Sequence, residues 1–231
     1  MLNNKNYILC GGDMTISTED LMKSIMDSLE RISYIRYEDI PNIDLYMDQV
    51  TTFMDEKLQA TTRNPGQDKI LTKTMINNYA KNDLLPPPVK KKYSREHMMI
   101  LIMIYYLKGV LSFNDIHEVL KPITERYFGT DKEFDLESIY NEVFDFENFQ
   151  KNAVKEDISA KVEAAQGMFK EAPEEDKEFF TLFALVVQLG FDVYVKRLLI
   201  EKLIDGYRAG QTPETEDKSN SKAKKKEPKT E

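Results

Sequence analysis

Between Lys73 and Asn82 the stretch KTMINNYAKN carries lysines at 73 and 81 and adjacent asparagines at 77 and 78. At 3.6 residues per turn, Met75, Ile76 and Tyr79 fall on one side of a helix, leaving Lys73, Thr74, Asn77, Asn78 and Lys81 on the other. Such a face has a definite chemistry. Asparagine presents a donor and an acceptor that can pair bidentately with adenine, and lysine presents positive charge to a phosphate. Pro86, Pro87 and Pro88 then fix φ and end any helix, and the chain turns back through Lys90, Lys91, Lys92 and Tyr93 to Arg95. Short extended segments on either side of the prolines give a stiff basic hairpin, the geometry of a wing over residues 86–93 beside a reading helix over 73–82. The candidate DNA-binding residues are thus Lys73, Thr74, Asn77, Asn78, Lys81, Lys90, Lys91, Lys92, Tyr93 and Arg95.

Other chemistry is poorly supplied. With only His97, His117 and Cys10, no His/Cys zinc constellation can be assembled. The acids between Asp131 and Glu147 alternate with aromatics at helical spacing and read as the wet side of an amphipathic helix. Gly11-Gly12 lacks the strand, further glycines and helix of a phosphate loop, so it reads as a turn. No nucleophile is paired with a base. The expectation is a protein that is not an enzyme, with no cofactor and no metal.

The elements that must hold the Lys/Asn face are marked by their caps. Thr72 is placed to cap the reading helix, and Ser94 to cap an apolar helix with Met98, Leu101, Ile102, Tyr105 and Tyr106 inward, ended by Gly109. Ser112 and Asp115 resemble a capping box for a short helix stopped by Pro122. Upstream, Ser17 and Asp20 open a helix to about Arg31 with Leu21, Ile25, Leu29 and Ile32 inward. Residues 41–58 read as a scaffold helix with Tyr46, Val50, Phe53 and Met54 on one side, joined to the reader by a loop over 59–68.

The order Leu84-Leu85-x-Pro, basic turn, Tyr93-Ser94-x-Glu96, apolar helix and Ser112-x-x-Asp115-Ile116 resembles the DNA-binding domain of MerR-type regulators. It is similar, more closely, to a bacterial family catalogued as a domain of unknown function, whose recurring core matches LTKTMINNY at 71–79, KKKYS at 90–94 and LKGVLS at 107–112. The resemblance spans about residues 40–120. It implies a winged helix-turn-helix that docks on double-stranded DNA. Where the MerR pattern has Arg-Tyr-Tyr against the DNA backbone, this chain has Asn77, Asn78 and Tyr79, keeping only the last.

Charge is segregated along the 231 residues. The net charge is −8, yet residues 69–97 carry seven lysines or arginines against two acids, while 1–68 and 122–210 are acidic. The one strongly basic stretch coincides with the candidate reader, as electrostatic steering requires. The longest apolar run, Met98 to Leu107, is short of the roughly 20 residues that span a bilayer, and the lone cysteine suits a reducing compartment. The expected location is therefore cytoplasmic, with no membrane partner.

Downstream, Pro173 with Glu174, Glu175 and Asp176 starts a helix that is apolar on more than one side. One stripe holds Leu182, Val186, Leu189, Val193, Ile200, Leu203 and Tyr207, and a second subunit is expected to cover it as a homodimer through 174–207. The expected architecture is mostly α, a MerR-like winged helix-turn-helix with a short β-hairpin wing plus a C-terminal helical region. Its parts are a flexible arm (1–14), the helical reader domain (15–123), a dimerisation or partner region (124–210) and a charged disordered tail (211–231). Two functions follow from this reading. One is a DNA-binding transcriptional regulator, with any small-molecule effector unknown, and the other is a helical protein-interaction module built on a degenerate winged-helix fold.

Overall fold

Eight consecutive residues of one helix, His97–Ile104, are buried, and the chain is arranged around them. The protein, a computed structural model, is described over residues 18–31 and 34–211. The arm at 1–14 with Cys10 and Gly11-Gly12, the Ser17 cap, Ile32, and the tail beyond Gln211 lie outside the described residues. The central helix is α4 (Arg95–Leu107). Sequence pattern predicts a one-sided stripe for it, but it is covered on every side because four neighbouring helices, and the far end of a later one, contribute to the same core.

Those helices are α2 (Met47–Leu58), α3 (Lys73–Lys81), α5 (Phe113–Tyr127) and α6 (Leu136–Phe144). They contribute Val50, Met54 and Leu58, then Ile76 and Tyr79, then Ile116 and Leu120, then Leu136, Tyr140 and Phe144. Fully burying a side chain such as Leu or Ile contributes about 1.5–3 kcal/mol over leaving it exposed. The core therefore does not stop at residue 123, the boundary expected from sequence. Helix α5 also runs straight through Pro122. An interior proline costs about 3 kcal/mol, and the packing of Ile123, Tyr127 and Phe128 against the core offsets it.

A small antiparallel sheet closes one end. Strand β1 (Leu45–Tyr46) pairs with β2 (Lys92–Tyr93) in the register Leu45 to Tyr93 and Tyr46 to Lys92. Leu45 and Tyr93 point inward, and Tyr46 points out, as the two-residue period of a strand requires. The helix expected over 41–58 thus begins only at Met47, Tyr46 being its extended N-cap residue. The hairpin also differs from expectation. No strand pair flanks the prolines; the turn is at Lys90-Lys91, closed by a single bridge in which Val89 N–H donates to Lys92 O at 3.1 Å and Lys92 N–H to Val89 O at 2.9 Å, and the strand that pairs with β2 is the distant β1.

Helix α1 (Thr18–Arg31) does not join the 35–144 core. Its Met22 packs with Ile158 of α7 (Glu147–Gln166) and Leu185 of α8 (Lys177–Gln211), with Met26, Leu29, Val162 and Leu189 around them. Ile25, expected inward, is 36% exposed. Lys161 bridges α7 and α8, pairing with Asp157 and, at 2.7 Å, with Asp192. At its far end α8 returns to the main core through Ile204, and Arg208 lies 3.7 Å from Asp115 and 3.9 Å from Glu118 of α5.

The inward residues of α8 are Ala184, Leu185 and Ile204, whereas Val186, Val193 and Leu203 of the expected stripe are exposed. Periodicity cannot choose a face on a helix that is apolar all round. Together with the turn before it, residues Glu174–Gly210 are long and apolar enough to cross a membrane by length and composition. A search for unbroken apolar runs passes over this helix because Gln188, Gly190 and Asp192 interrupt it.

Candidate functional site

Helix α3 owes its start to Thr72, whose hydroxyl accepts from Met75 N–H at 3.2 Å. Its end is a reverse turn in which Leu84 N–H donates to Tyr79 O at 2.9 Å while Asp83 adopts φ +57°. That is the pattern of a left-handed C′ residue closing the last turn. Asn82 adds its side-chain amide, donating to Asn78 O at 2.7 Å. Inside, Ile76 is fully buried and Tyr79 lies stacked on Phe113, with centroids 6.4 Å apart. Burial pushes the Tyr79 hydroxyl above its usual range. The remaining residues, Lys73, Thr74, Asn77, Asn78 and Lys81, are all exposed, the face that the sequence pattern predicts. An open groove of about 590 Å³ lies beside α3 between Met75, Asn78, Lys81, Asn82 and Phe113, within the roughly 300–1,000 Å³ of small-ligand sites.

The hairpin tip lies next to this helix by a short chain of contacts. Lys73 is ion-paired with Asp48 in the first turn of α2. Two residues before Asp48, the ring of Tyr46 lies under the Lys92 ammonium, 5.2 Å away. The start of α3 and the base of the hairpin therefore meet at the start of α2. Lys90 and Lys91 at the tip are exposed, with φ +51° and +63°. Positive φ at both central residues is what a two-residue hairpin turn demands, and the residues that suit it are Asn and Gly. Lysine there costs roughly 1–2 kcal/mol per residue in backbone strain.

Two candidates leave the set. Tyr93 is only 3% exposed, its ring edge-on to His97 at 5.5 Å, because its register opposite Leu45 points it into the core. Arg95 stacks on Tyr37, its guanidinium carbon 3.6 Å from the ring centroid, and donates to Tyr37 O at 2.8 Å. It pins the segment before β1, and its Nε is buried without a partner. Tyr46, 54% exposed and carrying Lys92 on its ring, is a site residue that the sequence reading hides inside a helix. The alternation of Leu45 in and Tyr46 out is too short a signal to find it.

Beneath the hairpin, His97 replaces the acid of a capping box. Its Nδ1 accepts from Ser94 N–H at 3.0 Å, and Phe128 covers its ring edge-on at 4.7 Å. Burial holds its pKa below the usual histidine value, against the opposing pull of nearby Pro87 and Pro86 carbonyls. Among the described residues, no three His, Cys, Asp or Glu side chains gather closely enough to hold a metal ion.

Residues 35–143 match the family described as a domain of unknown function, DUF1836. The match covers α2 to α6, ending one residue short of the end of α6. No curated protein and no solved structure matches the chain.

Proposed function

We propose that the chain is a DNA-binding transcriptional regulator working in the cytoplasm, reading double-stranded DNA with α3 and the Lys90-Lys91 hairpin in a MerR-like winged-helix manner. The observation that carries this is the pair of lysines held in left-handed conformations at the tip. A hairpin selected for stability alone would place Asn-Gly there, whereas strained residues gather where function needs them. Two charges on a stiff tip, next to a helix face of Asn and Lys, suit phosphate contact by the tip and base contact by the helix. The sheet that joins β1 to β2 and anchors the tip on α2 supports the same reading.

The test is the double substitution Lys90→Asn with Lys91→Gly, after selection of a preferred site from random oligonucleotides. Relief of strain at both positions should raise folding stability by about 2–4 kcal/mol. If both lysines neutralise phosphates, the slope of log affinity on log salt should fall by about 2, with site preference kept. A variant that is more stable and binds DNA with an unchanged slope would reject the hairpin as a DNA contact.

A second reading, a helical protein-interaction module, is favoured by the Lys73–Asp48 pair, which sets an exposed acid of the same chain against one charge of the face. Under it the selection yields no preferred sequence.

A further inference from the structure

Along the outer side of α8, Phe179, Phe183, Val186, Val187 and Tyr194 recur at the spacing of one helical face, each 52–63% exposed. At the centre of that face stands Gly190. A glycine inside a helix is destabilising relative to alanine, and no turn or positive φ calls for one there. Nor is it needed by neighbours within the chain, since a Cβ added at Gly190 would meet nothing within 4 Å. A gap at the middle of an apolar stripe has a use when another helix crosses it closely.

The amount of surface decides what kind of partner fits. A full aromatic side chain offers roughly 150–250 Å². At the observed exposures, the stripe with its flanking Phe191 and Val193 therefore presents roughly 800 Å², the share each partner buries in a standard-size protein interface. Monomeric proteins seldom leave more than roughly 300–600 Å² of apolar surface in one patch. Lipid is a poor occupant. Asp192 sits in the middle of the helix, paired with Lys161 of α7, and α7 carries lysines and acids along its length. Inserting α8 would drag that polar helix into hydrocarbon or strip it away. The stripe is also electrically quiet toward a copy of itself, because Arg197 and Glu201 at its lower end satisfy one another at 2.9 Å.

We propose that a second copy of this chain covers the stripe, with the two α8 helices crossing at Gly190. This pairing needs no DNA, so it stands or falls separately from the function proposed above. The experiment is sedimentation equilibrium of the full chain without DNA or detergent, on the natural sequence, Gly190→Ile and Phe183→Glu. The natural chain should run at twice its own mass at micromolar concentration. Gly190→Ile adds a side chain into empty space and improves helix propensity, so each protomer should stay folded by circular dichroism while dimer dissociation rises at least 100-fold. Phe183→Glu should do the same by placing charge in the seam. A natural chain that is monomeric at about 100 μM, including one that instead pellets with lipid vesicles, overturns the proposal. So does a dimer that both variants leave intact. In a further arm, Gly190→Cys in a Cys10→Ser background should form an interchain disulfide under mild oxidation, and failure to cross-link overturns the crossing point.

Discussion

The 35–144 unit and the α7–α8 hairpin solve the same problem to different degrees. In the first, α4 is enclosed by its neighbours, the surface of α3 is Lys and Asn over a closed core, and the exposed apolar residues, such as Ile43, Val89, Phe134 and Val143, are scattered over several elements. In the second, only Ala184, Leu185 and Ile204 of a 35-residue helix are buried among its apolar residues, and the outside is Phe, Val and Tyr. Apolar content alone does not distinguish the two. What differs is how many elements of the same chain are available to cover it, and the region left uncovered is where another molecule has the most to gain.

The sharpest test of this contrast pairs one residue from each region. Tyr140→Ala empties a fully buried site and removes the hydroxyl that donates to Ile35 O, so folding stability measured by denaturant melts should drop by about 3–5 kcal/mol. Phe183→Ala, on a half-exposed side chain, should change protomer stability by no more than about 0.5 kcal/mol at concentrations below dimer dissociation. Equal losses would erase the distinction. For the same reason, truncation at Phe128 should not leave a folded N-terminal unit, since it discards Leu136, Tyr140 and Phe144.

Next in size is the face of α3, where side chains touch no core. Asn77→Ala or Asn78→Ala should leave melting unchanged and weaken a selected DNA site by about 1–3 kcal/mol while blurring its preference. Titrations of both variants that overlay the natural chain would remove α3 as the reading element.

How much of this was legible in sequence depends on which force decides each residue. Thr72, Ser94 and Ser112 were readable as caps because capping is local, and each does accept from the amide three residues on. The exposed face of α3 was readable because its pattern is amphipathic. Pro122 misled because tertiary packing outweighs a local penalty, and Tyr93 misled because its direction is set by a strand partner 48 positions earlier in the register, Leu45. The inward side of α8 had no periodic signal to follow.

Two smaller effects refine the closed region. His97 is held neutral by burial, its pKa below the ordinary value of 6.5. Both states are neutral above that pH, and below it the unfolded chain binds protons more readily, so stability should fall as pH drops through about 6.5. His97→Gln should flatten that slope between pH 7 and 5; a melt series in which the two chains lose stability in parallel would assign the loss elsewhere. Asp83→Gly should raise stability by about 1 kcal/mol, because glycine fits the left-handed closing position of α3 without strain. A decrease in the melting midpoint would mean that the Asp83 side chain contributes more than its backbone costs.

Leu185 and Ile204 anchor one continuous helix in two different cores. At 1.5 Å per residue they are about 28 Å apart along a stiff rod. A tilt of about 10° at the α1–α7 end would swing the other end by about 5 Å, more than a packed side chain can follow. The two cores must therefore move as one body or part cleanly, so that an event at the α1–α7 end either carries α5 with it or breaks the contacts of Ile204 and Arg208.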